Sequence, residues 1–336
     1  MKVAVFGPAR RVGIVQEGFV VDASAAYDKY VAETSDPAQP AMDTSADVPS
    51  ELEAFIAEGA RTIDGVRAAV EHLFSHADSD LGVGGQQIRF PLDQVVLHPP
   101  VAGASRVFAA LANFADHMEA AAANTGAADA QTTLARLQSG GPKYFMKDPR
   151  CASTDGDEIR YPARTSHLDY EAEVAVVIGK PGRDIQPDEF RSYIWGYVVA
   201  NDWSIRDNVS FGPDFQYSKN FDTATGIGPW IVVDEGIDPQ DIAVETRVNG
   251  ELRQSGNTRS MIHDFASLGA FLSRDITLYP GDFILSGTPK GTAVDSSKRL
   301  DDGTFPDDSL FVGPGDVVEV CSGALGALTN KIVKAS

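Results

Sequence analysis

Cysteine is nearly absent: Cys151 and Cys321 are the only two in 336 residues, too few for a disulfide framework, so a reducing compartment is the simpler setting. Basic residues are scarce as well. There are 28 Lys and Arg against 48 Asp and Glu, a formal net charge of −20, and that excess opposes docking on a phosphate backbone or an anionic membrane surface. No apolar run approaches the ~20 residues of a membrane span. Met1 to Val5 opens directly into a strand pattern. A cytoplasmic protein with no nucleic-acid or membrane partner is expected, and no internal repeat interrupts the chain.

What is present is enough sequence for one large core with a smaller appended domain. Lys2-Val3-Ala4-Val5-Phe6, Val12 to Val15 and Gly18 to Val21 read as short strands joined by a turn at Gln16-Glu17-Gly18. Thr34 to Ser50 reads as a loop, and Ser50 with Glu53 as a capping box. Leu52, Phe55, Ile56, Ile63, Val66, Val70 and Leu73 recur at helical spacing, interrupted near Gly59. A boundary is expected at His98-Pro99-Pro100, giving a small N-terminal α+β domain over 1–98 and a larger domain over 99–336. Strands dominate the second domain, with one clear helix from Asp264 to Ser273. The fold class is α+β, mostly β.

The densest chemistry lies in Leu168-Asp169-Tyr170-Glu171-Ala172-Glu173-Val174-Ala175-Val176-Val177-Ile178-Gly179. Its β-branched run reads as a buried strand. Residues i and i+2 of a strand share a face, so Glu171 and Glu173 present their carboxylates side by side while Ala172 points away. Two buried anions together call for a cation. A third acid, Asp202, closes another apolar run that begins at Tyr193. Three carboxylates with no Cys or His nearby favour a hard divalent ion, Mg²⁺ or Mn²⁺ before Zn²⁺, with Ca²⁺ a further candidate. On an exposed edge strand the same Glu-x-Glu is merely a solvated pair.

Further motifs occur in order along the chain: Asn201-Asp202-Trp203-Ser204-Ile205-Arg206-Asp207, Ser218-Lys219-Asn220-Phe221-Asp222-Thr223, Gly228-Pro229-Trp230, Val248-Asn249-Gly250-Glu251 with Gln254 and Thr258, and Tyr279-Pro280-Gly281-Asp282 leading into Ser286-Gly287-Thr288-Pro289-Lys290-Gly291. With Asn113-Phe114-Ala115-Asp116-His117 upstream, the chain resembles the fumarylacetoacetate hydrolase superfamily over residues 100–334. The resemblance implies a mixed β-sandwich roll of that family's C-terminal-domain type, a homodimer and a divalent cation. It also implies that Glu171, Glu173 and Asp202 are the metal ligands and that Lys219 reaches toward substrate oxygens beside the metal. Arg206, Gly287 and Thr288 are then substrate contacts, and His117 helps to activate water.

Two positions depart from the family pattern. A glutamate usually stands three residues after this histidine, but position 120 is Ala, and the nearest acid, Glu119, lies on a different helix face. Glu119 is thus the candidate partner by proximity, with the pairing left open. Val209 stands where glutamine is usual, which points to a less polar pocket there. Other features are discounted. His72 and His76 have i, i+4 spacing but no acid in a recognised pattern, and read as a solvated helix face. His167 reads as a structural hydrogen-bonding residue before a metal-site assistant. The alanine-rich stretch over 113–128 has little bulky anchorage and is expected to be a lid.

The chemistry expected from this set is chelation of a small 2-oxo or β-diketo acid through two oxygens, with the resulting enolate stabilised by the cation and the Lys219 ammonium. Water activated by His117 then gives C–C hydrolysis of an acylpyruvate or fumarylacetoacetate-like substrate in catabolism. The same enolate serves a decarboxylase, including an oxaloacetate decarboxylase, or an isomerase of the 2-hydroxyhepta-2,4-diene-1,7-dioate type. A metal-binding homologue without catalysis is the remaining class.

Overall fold

The computed structural model describes residues 1–35, 48–76, 80–125, 135, 139–207, 215–234, 236–300 and 304–335. The expected loop over 34–50, Val209 and the end of the expected lid fall wholly or partly outside these residues. Two mixed sheets carry the chain, in keeping with the mostly β reading. The larger has twelve strands among the described residues. Its main path runs Arg89–Pro91, Phe19–Asp22, Arg11–Gln16, Lys2–Phe6, Thr225–Val232, Ile194–Asp202, Ala172–Ile178, Phe283–Leu285, Val107–Ala110 and Tyr144–Lys147. The smaller has five strands: Glu251–Asn257, Ala243–Val248, Val317–Ser322, Gly326–Lys334 and Glu158–Tyr161. Most pairs are antiparallel, but Phe283–Leu285 runs parallel to Val107–Ala110, and Gly326–Lys334 parallel to Glu158–Tyr161.

The expected N-terminal strands form. Gln16 pairs with Phe19 across a two-residue turn in which Glu17 (φ 50°) and Gly18 (φ 80°) are both left-handed, the turn whose twist matches a hairpin and which Gly enters without steric cost. Lys2 then pairs with Val232 and Val3 with Ile231, so one sheet's hydrogen bonds run across the boundary expected near residue 98. The interrupted helix is a pair, Leu52–Ala57 and Ala60–Ser75, broken at Gly59. The expected capping box does not form: the N-cap is Glu51, without a side-chain bond, while the Ser50 carbonyl accepts the Val12 N–H at 2.8 Å. A helix that apolar spacing does not announce, Ala23–Thr34, starts at Asp22, whose carboxylate accepts the Ala25 N–H at 3.1 Å. The expected helix near 264–273 is Phe265–Leu272, capped by Asp264 on the Ser267 N–H at 2.7 Å.

Strand Ala172–Ile178 is buried along its whole length. Val174, Val176 and Ile178 pack with Phe265, Leu268 and Leu272 and with Val244, Val320 and Leu328 of the small sheet. Ala175 and Val177 face the opposite way, into a core shared with Phe55, Ile56, Val66 and Val70 of the N-terminal helices. A strand covered on both sides needs apolar residues at every position. Glu173 breaks that rule at the strand's beginning, on the same face as Ala175 and Val177.

Candidate metal centre

The register of two central strands assembles the carboxylates. Ala172 pairs with Asn201 and Glu173 with Ala200, which sets Glu171 opposite Asp202, and the Asp202 N–H donates to the Glu171 carbonyl at 3.0 Å. Directly opposed residues share a face, as do residues two apart on one strand. Glu171, Glu173 and Asp202 therefore converge, with one carboxylate oxygen from each lying within 4.8 Å of the others. All three are buried, at 5%, 1% and 0% exposure, which excludes the solvated edge-pair reading. Like charges opposed across a ladder repel, so the arrangement calls for cationic compensation or a retained proton.

Two lysines and an arginine provide part of it. Lys219, at the end of helix Phe215–Lys219, donates to Glu171 Oε2 at 2.7 Å, Asp202 Oδ2 at 2.8 Å and Ser204 Oγ at 2.7 Å. Lys147, with no exposed side-chain surface, places Nζ 2.6 Å from Asp202 Oδ1 and also donates to the backbone carbonyl of Lys219. Arg206 pairs through Nη2 with Glu171 Oε1 and through Nε with Asp169 Oδ2 at 3.0 Å. Burial alone pushes the Glu171 carboxyl up, but Lys219, Arg206 and His117 outweigh it and hold the group well below its usual range. Burial likewise depresses the Lys219 ammonium, and Asp202 and Glu171 overcome it, so its pKa is raised and the charge is kept. Lys147 goes the other way, with burial lowering its pKa in spite of Asp202.

Glu173 is the exception. Among the described residues no ion pair reaches it; its carboxylate accepts only the Gly287 N–H at 2.9 Å. Burial, then Asp202 and Glu171, raise its pKa well above the ordinary value. A buried acid beside two others and without a cation of its own could take a hard divalent ion, and carboxylate oxygens are the donors such an ion prefers. The residues present fit Mg²⁺ or Mn²⁺.

The turn after strand Phe283–Leu285 closes one side. Gly287 adopts φ +82°, and a Cβ there would lie 3.1 Å from Asn113 Cβ and 3.3 Å from the Ala110 carbonyl, so only glycine aims this N–H at Glu173 without strain. The Thr288 hydroxyl donates to the Ala172 carbonyl at 3.0 Å and accepts from Gln254 Nε2 at 2.8 Å. Gln254 Oε1 in turn accepts the Ala172 N–H at 2.9 Å. The residue between the two glutamates is thereby clamped at both its backbone groups. Asn113 joins this turn to the start of helix Ala115–Thr125, donating to the Ser286 carbonyl at 2.8 Å and accepting the His263 N–H at 2.9 Å.

His117 lies on that helix, but its partner is not Glu119, whose side chain is exposed. Nδ1 of His117 is 2.8 Å from Oδ2 of Asp295, which also accepts the Gly291 N–H at 3.0 Å. The correction has the geometric cause already visible in the spacing: two residues along a helix turn a side chain away from its neighbour. Burial lowers the His117 pKa, but the Asp295 hydrogen bond and charge, with Glu171 adding and Arg206 opposing, raise it overall. His167 bonds Asp207 Oδ1 at 3.0 Å and packs edge-on to Phe311, a structural setting. His72 is not on a fully solvated face: its Nε2 lies 2.8 Å from Glu33 Oε2, and its ring stacks on His76. Glu33 belongs to the unannounced helix, so no local pattern reveals the pair.

Sequence reasoning missed Lys147 and Asp295. Lys147 lies in Tyr144-Phe145-Met146-Lys147-Asp148, where a lysine ending an apolar strand is a usable signal. Asp295 sits in a short helix, Ala293–Ser296, and has no signal beyond its place after the Gly-Thr-Pro turn.

Known proteins are similar to this chain over most of its length. The fumarylacetoacetate (FAA) hydrolase C-terminal family profile matches residues 106–333. The oxaloacetate tautomerase YisK of Bacillus subtilis is 33% identical over 289 residues, spanning 85% of this chain and 87% of its own. The mitochondrial oxaloacetate tautomerase Fahd2a of Rattus norvegicus is 34% identical over 245 residues, 72% of this chain and 71% of its own. Among solved structures, the fumarylacetoacetate hydrolase of the psychrophilic Exiguobacterium antarcticum superposes with a TM-score of 0.69 at 27% identity, covering 100% of both chains.

Proposed function

Because the chain belongs to the fumarylacetoacetate hydrolase family, we propose that it is a divalent-metal-dependent hydrolase cleaving a C–C bond in a small acylpyruvate or fumarylacetoacetate-like acid. The observation that carries this reading is the His117–Asp295 pair, close enough to the carboxylate triad for Glu171 to act on the imidazole. Glu171, Glu173 and Asp202 would hold Mg²⁺ or Mn²⁺, which would supply Lewis acidity toward the substrate's carbonyl. Asp295 accepts from both His117 and Gly291, so His117 carries its proton on Nδ1 and leaves Nε2 as the base. Nε2 takes a proton from water as the water oxygen bonds to the acyl carbonyl carbon. The C–C bond then breaks, its electron pair remaining with the 2-oxo acid fragment, and His117 returns the proton to that carbon. The Lys219 ammonium faces the negative charge that develops on oxygen.

A second reading, keto–enol tautomerisation of oxaloacetate, is favoured by the two tautomerases to which most of this chain is similar. It uses the same base and needs no water. The test is to assay acetylpyruvate, fumarylpyruvate and oxaloacetate with Mg²⁺, with Mn²⁺ and with EDTA. Release of pyruvate and a carboxylic acid, lost in His117→Ala, supports hydrolysis. Rapid loss of enol absorbance from oxaloacetate without pyruvate release from the acylpyruvates replaces it with tautomerisation. The proposal extends to a cytoplasmic homodimer with Mg²⁺ as its resident ion. Both cysteines are free thiols, as a reducing compartment keeps them, and no helix among the described residues is long and apolar enough to cross a membrane. A light-scattering mass of one chain at all concentrations would reject the dimer.

A further inference from the structure

Asp169 is fully buried and lies two residues before the first glutamate of the triad. Its two oxygens take four donors from three parts of the chain. Oδ1 accepts the N–H of Tyr170 at 2.9 Å and of Ala293 at 2.8 Å, and Oδ2 accepts the N–H of Val294 at 3.1 Å and Nε of Arg206 at 3.0 Å. Ala293 and Val294 open the short helix that carries Asp295, with Thr292 as its N-cap. From Asp295 one further hydrogen bond reaches His117. A continuous path therefore runs from Asp169 through two backbone N–H groups to the carboxylate that fixes the imidazole. Burying a carboxylate requires that its lone pairs be filled, and here two of the four groups that fill them, the Ala293 and Val294 N–H, belong to the segment that carries Asp295.

Resting on the reading of His117 as the base, we propose that Asp169 is a positioning residue for His117, holding the 291–296 turn so that Asp295 stays in register with Nδ1. Its chemistry is specific to aspartate. Asparagine would turn an amide N–H₂ toward existing N–H or guanidinium donors. Glutamate would carry the carboxylate roughly 1.5 Å too far. Arg206 shares Asp169 with the turn and Glu171 with the metal cradle, so one residue indexes both halves of the site.

The test reads His117 directly, in metal-free, ¹⁵N-histidine-labelled full-length protein, with His117→Gln assigning the signals. Wild type should show a downfield Nδ1–H proton, and a ring titration above the ordinary histidine value under the combined influence of Asp295, Glu171 and Arg206. In Asp169→Asn that proton should broaden or vanish and the midpoint should fall from its raised position. Asp282→Asn, which removes another buried carboxylate paired with an arginine, Arg106, should lower the melting temperature without moving either signal. A folded Asp169→Asn protein with unchanged His117 signals would overturn the proposal. Should Asp169→Asn fail to fold, Asp169→Glu is judged by the same signals, and failure of both to fold would assign Asp169 to the fold instead. None of these readouts needs a substrate, so absence of activity on every 2-oxo acid would reject the functional reading and leave this one standing. In active protein, Asp169→Asn should lower kcat with KM little changed, and should cost nothing further in the His117→Gln background.

Discussion

Replacing Lys147 with methionine keeps the volume of the side chain and deletes its charge, and the surroundings of the ammonium fix the size of the effect. The group is wholly buried 2.6 Å from Asp202 Oδ1, and Lys219 and Trp203 offer it backbone carbonyls. Removing one partner of a buried pair costs about 3–5 kcal/mol, because the remaining charge stays desolvated. At about 2–4 °C per kcal/mol, the melting temperature in EDTA should drop by on the order of 10 °C. A divalent ion changes the balance. If Asp202 is a ligand, deleting the Lys147 ammonium frees its Oδ1 for the ion while Lys219 stays on Oδ2, so Mg²⁺ should bind the variant more tightly and raise its melting temperature more than that of wild type. Circular-dichroism melts of both proteins across a Mg²⁺ series are the assay, and the gap should narrow as the ion is added. A gap that is constant or widens with Mg²⁺ would refute the reasoning, since it would mean that Lys147 and the ion do not compete for the charge on Asp202.

Other substitutions probe the rest of the site. Glu173→Gln should melt higher than wild type in EDTA above neutral pH, because the raised pKa of Glu173 means its ionisation costs stability as pH rises past the unfolded value; it should also lose Mg²⁺ binding by calorimetry. Asp295→Asn should lower turnover by about 10²-fold or more in a pyruvate-release assay. It should also change the pH dependence of folding. A raised His117 pKa contributes stability that is complete below the ordinary value of 6.5 and is lost as pH rises through the folded value, so the urea-midpoint deficit of the variant should be greatest in mild acid and shrink in alkali. Gly287→Ala places a Cβ in a left-handed backbone against Asn113 and Ala110, which should destabilise by about 1–2 kcal/mol in urea titrations and weaken Mg²⁺ binding through Glu173.

How much of this was legible in the sequence depends on how local each signal is. Glu171 and Glu173 were readable because a strand's period of two is a property of consecutive residues. Asp202 was readable as the end of a second apolar run, although its place opposite Glu171 is a matter of register between strands. Family resemblance singled out Lys219 and His117. Asp295 was not legible, since its relation to His117 spans 178 residues and arises from a turn held by Asp169. Lys147 escaped for a similar reason: a lysine on an edge strand usually faces water, and only the closure of the sheet over Asp202 buries it. The Ala23–Thr34 helix lacked a strong apolar stripe, and its buried face is made of Ala23, Ala25 and Ala26, residues too small to show as periodic hydrophobicity.

The pairing of Lys2 with Val232 has a consequence for how the molecule is made. The first strand can join its hairpin neighbour as soon as residue 16 is available, and Val5 and Phe6 find His98 and Leu97 when those are made, yet Lys2 and Val3 wait for Val232 and Ile231, more than two hundred residues after the hairpin. The pairings of the candidate site are no earlier: His117 waits for Asp295, and Lys147 for Asp202 and Lys219. Closure of such distant segments is slow because loop entropy is lost before the contacts are gained. A nascent chain halted before residue 295 would lack the acceptor for His117 and also the strands whose Val320 and Leu328 cover Ala172–Ile178, so neither the carboxylate cluster nor the His117–Asp295 pair can be in place until those later strands have been made.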